Sequence, residues 1–412
     1  MPSFSTSLSG LEADSQDLSV ISNNLANLNT VAYKGGTATF QDLFYQQIGS
    51  SGDGNPIQVG VGTTIGTVAG NYTQGTVQST GVPTDVAVEG NGFFIGSNNG
   101  EQVFLRAGNF TVGPTGILQA ADGSQILGFP AVNGAINTNQ TPGPLTISTG
   151  TISPPKSTAN AQLSMNLNSG ATVGTVFSTP LTVYDSLGAA HILTYTFTNT
   201  GPGAWSYNIT IPAVDVGAAG APVSVKTGTL TFNGAGQLTA PAGNVAGINI
   251  AGLADGANTL TFNWNLYSSP TTPVVTQVAA PSAVSTTQQD GFSAGSLSSY
   301  TINSDGTIEG TFSNGQTQPL GQILLASFPN EQGLVRNGSN EFLSSLSSGA
   351  ANIGIPGTGG RGTLSGGALE QSNVDIATEF SALIVAQSGY EANAKVVTTL
   401  NTITQDTINL IQ

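Results

Sequence analysis

Apolar residues recur at helical spacing at both ends of the chain and at strand spacing between them. Phe4, Leu8, Leu11, Leu18, Ile21, Leu25 and Leu28 follow one another at steps of three or four, with Asp14 and Ser15 in the one gap. Ile376, Phe380, Leu383, Tyr390, Ala394 and Val397 repeat the spacing, with Gln387 in the seam. Leu400, Ile403 and Leu410 carry it almost to the last residue. Such spacing gathers apolar groups on one narrow face of a helix. A narrow stripe at each terminus needs a partner. The two ends are therefore predicted to pair as a coiled coil, with further copies of the chain covering what remains.

The first helix is predicted over 1–30, with Ser3, Ser5 or Thr6 as its cap and Glu12, Asp14 and Asp17 placing negative charge in its first half. Residues 31–70 are punctuated by glycine (Gly35, Gly36, Gly52, Gly54, Gly60, Gly62, Gly66) and read as a linker with strand content at 37–44 and 57–61. From about 71 to 370 the period changes to two. Val86, Val88 and Phe93–Ile95 make short strands, and 194–198, 205–211, 223–232 and 259–266 alternate or carry β-branched and aromatic residues. Turn pairs punctuate them: Asn91-Gly92, Asn99-Gly100, Asp122-Gly123, Asn133-Gly134, Asn233-Gly234, Asp255-Gly256, Asp305-Gly306 and Asn314-Gly315. Each predicts a two-residue hairpin with positive φ at both central positions. The expected fold class is mainly β with terminal α: paired end helices and nested all-β domains, sandwich- or barrel-like, stacked outward.

Two stretches rich in Pro, Thr and Ser, 138–161 and 268–290, divide the β region and predict an inserted domain. The expected organisation is a helical domain from 1–30 plus 369–412, the linker 31–70, a host β domain from 71–150 plus 289–368, and an inserted outer domain 151–288. The glycine-rich joints at 49–66 and 354–367 are expected to hinge at low cost.

Composition narrows the function classes. Only 7% of residues are charged, against about 25% in an ordinary domain. With 22 acidic and 7 basic residues the net charge is −15. No basic stripe exists for phosphates, so neither nucleic acid nor an anionic membrane surface is an expected partner. No cysteine is present, which excludes disulfides, thiolate metal sites and Cys nucleophiles. No apolar run is long enough to insert in a bilayer. The first residues lack a basic n-region and an apolar h-region, so any export is expected without a cleaved signal peptide.

Candidate chemistry is sparse. The sole histidine, His191, lies in the strand-like segment HILTYTF, and Asp185 reads as part of the turn YDSLG. A single histidine without cysteine leaves little for a metal centre or a Ser-His-Asp site, so no metal, cofactor or catalytic set is expected. The acids are scattered, which argues against a glycosidase pair. Gly60, Gly62 and Gly66 lack nucleotide-loop spacing and the P-loop lysine. The terminal helices carry eight acids and one base, Lys395. Apolar and amide contacts must therefore hold them together.

Residues 21–34 read ISNNLANLNTVAYK. This segment resembles the N-terminal signature of the flagellar rod/hook axial protein family, NNLANxxTxGFK, with matches at Asn23, Asn24, Leu25, Ala26, Asn27, Thr30, Tyr33 and Lys34. Ala32 stands where the family usually has Gly. EGNGFFIG, LRAGNFTVGPTGIL and ADGSQILGF within 88–129 resemble the family's β core, and FPNEQGLVRNGSNEF (328–342) its return segment. LEQSNVDIATEFSALIVAQSGYEANAKVV (369–397) resembles its C-terminal helix. The inserted segment 151–288 carries no recognisable signature. Length and the single insertion make the chain similar to bacterial flagellar hook proteins.

That resemblance implies a helical homopolymer, a curved tube acting as a universal joint between rod and filament, without enzymatic activity. It also implies a location in the flagellar basal body and hook outside the cell, export through the flagellar type III apparatus, and partners in the distal rod protein, the hook cap and the hook–filament junction protein. The assembly interface is expected on Leu8, Leu11, Leu18, Ile21, Asn24, Leu25, Asn27, Leu28, Phe380, Leu383, Tyr390, Val397, Leu400 and Ile403. Roughly the first 30 and last 40 residues are expected to become fully helical only on assembly. Competing readings are a distal-rod-like subunit forming a straight tube, a secreted adhesin, and a carboxylate-based glycosidase.

Overall fold

The computed structural model describes residues 4–132, 134–148 and 150–411, the side chain of Ile411 excepted. Ser3, a proposed cap, and Asn133, a proposed turn residue, lie outside the described residues. Two compact units form: Met1–Ser148 with Ser299–Gly310 and Gln318–Gln412, and Thr149–Ser298 with Thr311–Thr317.

In the first unit helix α1 spans Phe4–Ala26 and helix α2 spans Ile376–Ile411. α1 is shorter than its apolar stripe predicts, whereas α2 covers its stripe but begins after the expected boundary at 369. Ser5 and Thr6 lie inside α1 and do not precede it. α1 stops before Leu28 because the backbone turns left-handed at Ala32 (φ 52°), where Ala32 N–H is held by Glu370 C=O at 2.8 Å. Left-handed backbone is where glycine is favoured, which accounts for the family's usual Gly at this place. α2 starts seven residues after 369 because Ala368–Glu370 is a strand paired with Val77–Ser79. Asp375 caps it, accepting Thr378 N–H at 2.8 Å.

The glycine-rich stretch after α1 is a ladder, not an open linker. Gly36–Asp42 pairs antiparallel with Thr63–Gly70, and Tyr45–Ser50 with Pro56–Gly60. Next comes a sheet in which Phe93–Asn98 pairs with Glu101–Leu105, and Glu101–Leu105 with Glu341–Leu343. Gln125–Val132 and Leu325–Ser327 flank Phe93–Asn98. Its core is aromatic: Phe93 meets Phe342 at 5.4 Å and Phe104 meets Phe328 at 4.8 Å, both edge to face.

The second unit is a β-sandwich. One sheet runs Val176–Tyr184, Ala190–Gly201, Ala204–Ile211, Val223–Phe232 and Leu238–Ala240, each antiparallel to the next. The other is built on Asn160–Asn166, flanked by Leu260–Asn265 and Ala283–Gln289. Burial alternates along Ala204–Ile211 as the sequence alternates, and Trp205, Trp264, Tyr195 and Phe197 fill the core.

Among the turn pairs, Asn99-Gly100 has positive φ at both positions. Asp122, Asp255, Asp305 and Asn314 do not; their side chains instead accept the N–H two residues on. This Asx geometry is the other reason Asn and Asp favour turns.

Candidate functional site

The two helices pack against each other antiparallel, since Asn24 meets Glu379 and Asp14 meets Asn393. Their contact face is not the leucine stripe. The buried residues of α1 are Ser7, Gly10, Ala13, Ile21 and Asn24, and Ala386 is buried on α2. Small residues allow the close approach. A Cβ on Gly10 would lie 2.8 Å from Asn393 Nδ2, and one on Gly389 would lie 3.2 Å from Asp14 Oδ2. Amides and carboxylates supply the bonding: Asn393 Nδ2 donates to Asp14 Oδ2 at 2.9 Å and Asn24 Nδ2 to Glu379 Oε1 at 3.1 Å.

The predicted interface residues therefore divide. Ile21 and Asn24 are buried inside the pair. Leu11, Leu18, Leu25, Leu383, Val397 and Leu400 are half-buried at its margins, and Asn27 and Leu28 are half-buried in the turn after α1. Leu8 is 60% exposed, and Phe380, Tyr390 and Ile403 are also exposed. Leu410 of the stripe is 87% exposed, and Ile384, Val385 (72%), Val396 and Ile408 add exposed apolar groups that the heptad reading passed over. Close packing of Gly and Ala, not the leucines, takes the intrachain contact. α2, with 36 residues against 23 in α1, is about 54 Å long against about 35 Å. Its last turns, from Asn401 on, are exposed.

The pair carries clustered acid. Burial pushes the Asp17 carboxyl up, and the nearby Asp14 pushes it further. Burial likewise raises Glu379; the Asn24 donor opposes this, while Asp17 and Asp375 reinforce it.

The signature residues 23–34 build the joint between α1 and the β region. Asn24 reads Gly36 on both sides: Nδ2 donates to Gly36 C=O at 2.8 Å and Oδ1 accepts Gly36 N–H at 2.9 Å. Asn27 Nδ2 donates to Asn23 C=O at 2.9 Å, and Thr30 Oγ1 donates to Asn27 Oδ1 at 3.0 Å, closing the helix end. Ala26 and Asn23 face outward. Tyr33 is buried with the Arg336 guanidinium 5.6 Å from its ring centre.

Lys34 leads to a buried charge network. Its Nζ lies 2.6 Å from Glu370 Oε1 and donates to Thr73 C=O at 2.8 Å. Glu370 Oε2 receives Arg106 Nε at 2.6 Å, and the Arg106 guanidinium also donates to the carbonyls of Val88, Gly90 and Gly92. All three side chains are almost fully buried. Burial drives the Lys34 pKa below its ordinary value, with Glu370 opposing. Removing Glu370 would strand two buried cations, a change typically costing about 3–5 kcal/mol. The sequence marks Lys34 by resemblance, but nothing in the pattern joins it to Arg106 and Glu370, which are remote in the chain.

A cleft of about 560 Å³ beside this joint is lined by Asn23, Asn27, Thr30, Tyr33, Asp122, Arg336 and Glu341 among others. Its two carboxylates bear on the glycosidase reading. The Ser124 hydroxyl sits 2.6 Å from Glu341 Oε1 and 3.0 Å from Asp122 Oδ2. Burial and the hydrogen-bonded Asp122 carboxyl push Glu341 up. At Asp122 burial is outweighed by Glu341 and by the Ser124 donors, which hold it low. A single hydroxyl, that of Ser124, bridges the two carboxyls. Glycoside cleavage needs carboxyls about 5 Å or more apart, with a sugar between them.

Comparison with known proteins bears on all of this. Residues 4–34 match the family model described as flagella basal body rod protein, and 365–410 match flagellar basal body rod FlgEFG protein C-terminal. Residues 172–292 match flagellar basal body protein FlaE D2 domain, so the inserted segment does carry a family pattern. The flagellar hook protein FlgE of Escherichia coli K12 is 37% identical over 99% of this chain and 99% of its own. That of Treponema pallidum is 32% identical over 100% of this chain and 99% of its own. The crystal structure of Helicobacter pylori flagellar hook protein FlgE2 superposes with a TM-score of 0.51 at 14% identity, covering 71% of this chain and all of that one. At that identity the likeness shows the fold.

Proposed function

The chain belongs to the flagellar hook protein family and is a structural subunit of the bacterial flagellar hook, and from this premise we propose that the uncovered faces of α1 and α2 are the surfaces through which copies join into a tube. The observation that carries this is the mismatch between the two faces of the helix pair. The inner face is closed by small and amide side chains, while Leu8, Phe380, Val385, Ile403 and Leu410 remain exposed. Apolar residues lined up along a helix and left in water mark an interaction site. Copies of the same chain supply the matching stripe, and the overhanging end of α2 gains its partner only there. Ordering of the chain ends is then coupled to assembly.

The finer features follow the family. The hook forms a curved tube in the flagellum outside the cell, its subunits pass the flagellar type III apparatus, and the tube meets the distal rod protein, the hook cap and the hook–filament junction protein. Scarce charge limits ion pairs between sliding neighbours, and the acidic, amide-rich helices suit a water-filled bore.

The test substitutes Leu8→Asp and Val385→Asp, two positions exposed in the single subunit. Burying a carboxylate at a subunit contact costs several kcal/mol. Electron microscopy is expected to show loss of tubes while β-sheet circular dichroism is unchanged. Tubes of normal length from both variants would remove these faces from assembly. Straight tubes from the wild-type chain would favour the distal-rod reading over a hook.

A further inference from the structure

One side-chain cluster in the second unit has no part in assembly as described. Asp185 sits in the turn between Val176–Tyr184 and Ala190–Gly201, where its Oδ1 accepts Leu187 N–H at 2.8 Å and Ala189 N–H at 2.9 Å. Its Oδ2 is left to face His191, 3.1 Å from Nε2. Asp255, in the loop after Val245–Ile250, brings its Oδ2 to 4.0 Å from the same nitrogen. Behind the ring, Nδ1 lies 3.0 Å from Asp215 Oδ2 in the short helical turn Ala213–Val216. Asp185 and His191 are buried, whereas Asp255 is 31% exposed. Among the described residues none of these three aspartates pairs with Lys or Arg.

We propose that Asp185 Oδ2, His191 Nε2 and Asp255 Oδ2 form a binding site for one divalent transition-metal ion, with Asp215 positioning the imidazole from behind. The ligand atoms of the three residues all lie within 4.8 Å of one another. Bonds of about 2.0–2.2 Å around a tetrahedral ion separate its ligands by about 3.4 Å. The separations of 3.1 and 4.0 Å bracket that value, so small side-chain rotations complete the site. One imidazole nitrogen with two carboxylate oxygens suits Zn²⁺ and its first-row neighbours better than Ca²⁺ or Mg²⁺, which favour all-oxygen shells.

The imidazole distinguishes this from a patch of surface acid. In the neutral ring with Nδ1–H donated to Asp215, the Nε2 lone pair would point at two carboxylates. That arrangement is repulsive until a cation lies among them, and a carboxylate behind a ligating histidine is the usual support of such an ion. Access is from the Asp255 side, and the fourth position is left to water. The rival occupant is a second proton on the ring, giving an imidazolium held between Asp185 and Asp215.

The experiment uses the full chain as a dilute monomer at neutral pH, titrated calorimetrically with Zn²⁺ alone and, separately, with Mg²⁺. The expected result is one saturable Zn²⁺ per chain and much weaker Mg²⁺ binding. Asp255→Asn, on an exposed loop where the fold tolerates it, is expected to weaken Zn²⁺ at least about tenfold, and Asp215→Asn by about 10–100-fold. Nitrogen NMR of the single histidine should show Nε2 losing its proton as Zn²⁺ saturates. No saturable binding, equal binding by Asp255→Asn with its circular dichroism intact, or protons on both ring nitrogens at saturating Zn²⁺ would each overturn the proposal.

Discussion

The β-sandwich of residues 149–298 and the terminal helix pair solve the same problem in opposite ways. In the sandwich, alternate residues of each long strand turn inward, and Trp205, Trp264, Tyr195 and Phe197 are removed from water completely. In the helix pair the inward positions go to Ser7, Gly10, Ala13 and Asn24, and much of the large apolar surface faces out. Hydrophobic burial scales with apolar area, so the sandwich is stabilised within one subunit far more than the helix pair is. The contrast separates a part that closes its own core from a part whose outer apolar face, on the proposal above, is covered by neighbouring copies.

Trp264→Ala attacks the self-contained side and has the largest expected effect. Truncating a large buried aromatic typically costs about 3–5 kcal/mol. Denaturant unfolding followed through Trp205, the one remaining tryptophan, should show the loss, with α1 and α2 retaining their mutual protection from exchange. Trp264→Phe should cost less, because the indole N–H has no hydrogen-bond partner in the protein. An equal loss of helix protection in either variant would dissolve the distinction between the two regions.

Asn24→Ala attacks the other side. It removes both bonds to Gly36 and the donor to Glu379, so the half-buried Gly36 N–H and C=O lose their side-chain partner. The expected cost is about 1–3 kcal/mol, read as faster amide exchange in α1 and the strand after it. Unfolding of the sandwich should not move.

The smallest effect is that of pH on the helix pair. Asp17 and Glu379 have raised values in the folded chain, so the folded state holds their protons more tightly. Their contribution is fully present below the ordinary carboxylate pKa of about 4 and is lost as pH rises through the raised folded values. Helix amides, corrected for intrinsic exchange, should be better protected near pH 4 than at pH 7. Substituting both by Asn and Gln should flatten the profile, and a helix pair that instead tightens from pH 4 to 7 would refute the assignment.

Much of the β architecture was legible because a strand half-buried in a sandwich alternates strictly. The expected strand 223–232 coincides with Val223–Phe232, and 205–211 lies within Ala204–Ile211. The helix ends were less legible. Leu28 continues the apolar spacing past Ala26, but a left-handed residue at 32 and the Asn27–Thr30 bonds end the helix first. Leu369 fits a helical stripe equally well, yet pairs as a strand with Gln78. The true helix seam escaped notice because hydropathy gives no weight to glycine. Gly10 and Gly389 matter for the space they leave, which no apolar stripe records. The joint expected at 49–66 is partly paired strand: Gly49, Gly60 and Gly66 lie in strands, while Gly52 and Gly54 form the turn between two of them. The His191 cluster draws on a strand, two turns and a short helical turn, and the hydropathy pattern does not bring 185, 191, 215 and 255 together.

The Lys34–Glu370–Arg106 network has a consequence in time. A polypeptide made, or threaded, from its N-terminus presents Lys34 and Arg106 early and Glu370 only when 370 of 412 residues have appeared. Until then two cations have no carboxylate to meet, and burying them is prohibitively unfavourable. The joint at the base of α1 therefore closes last, by a long-range encounter whose loop must be spanned before it yields any stabilisation. A chain leaving a narrow conduit stays open at that joint until almost all of it is through.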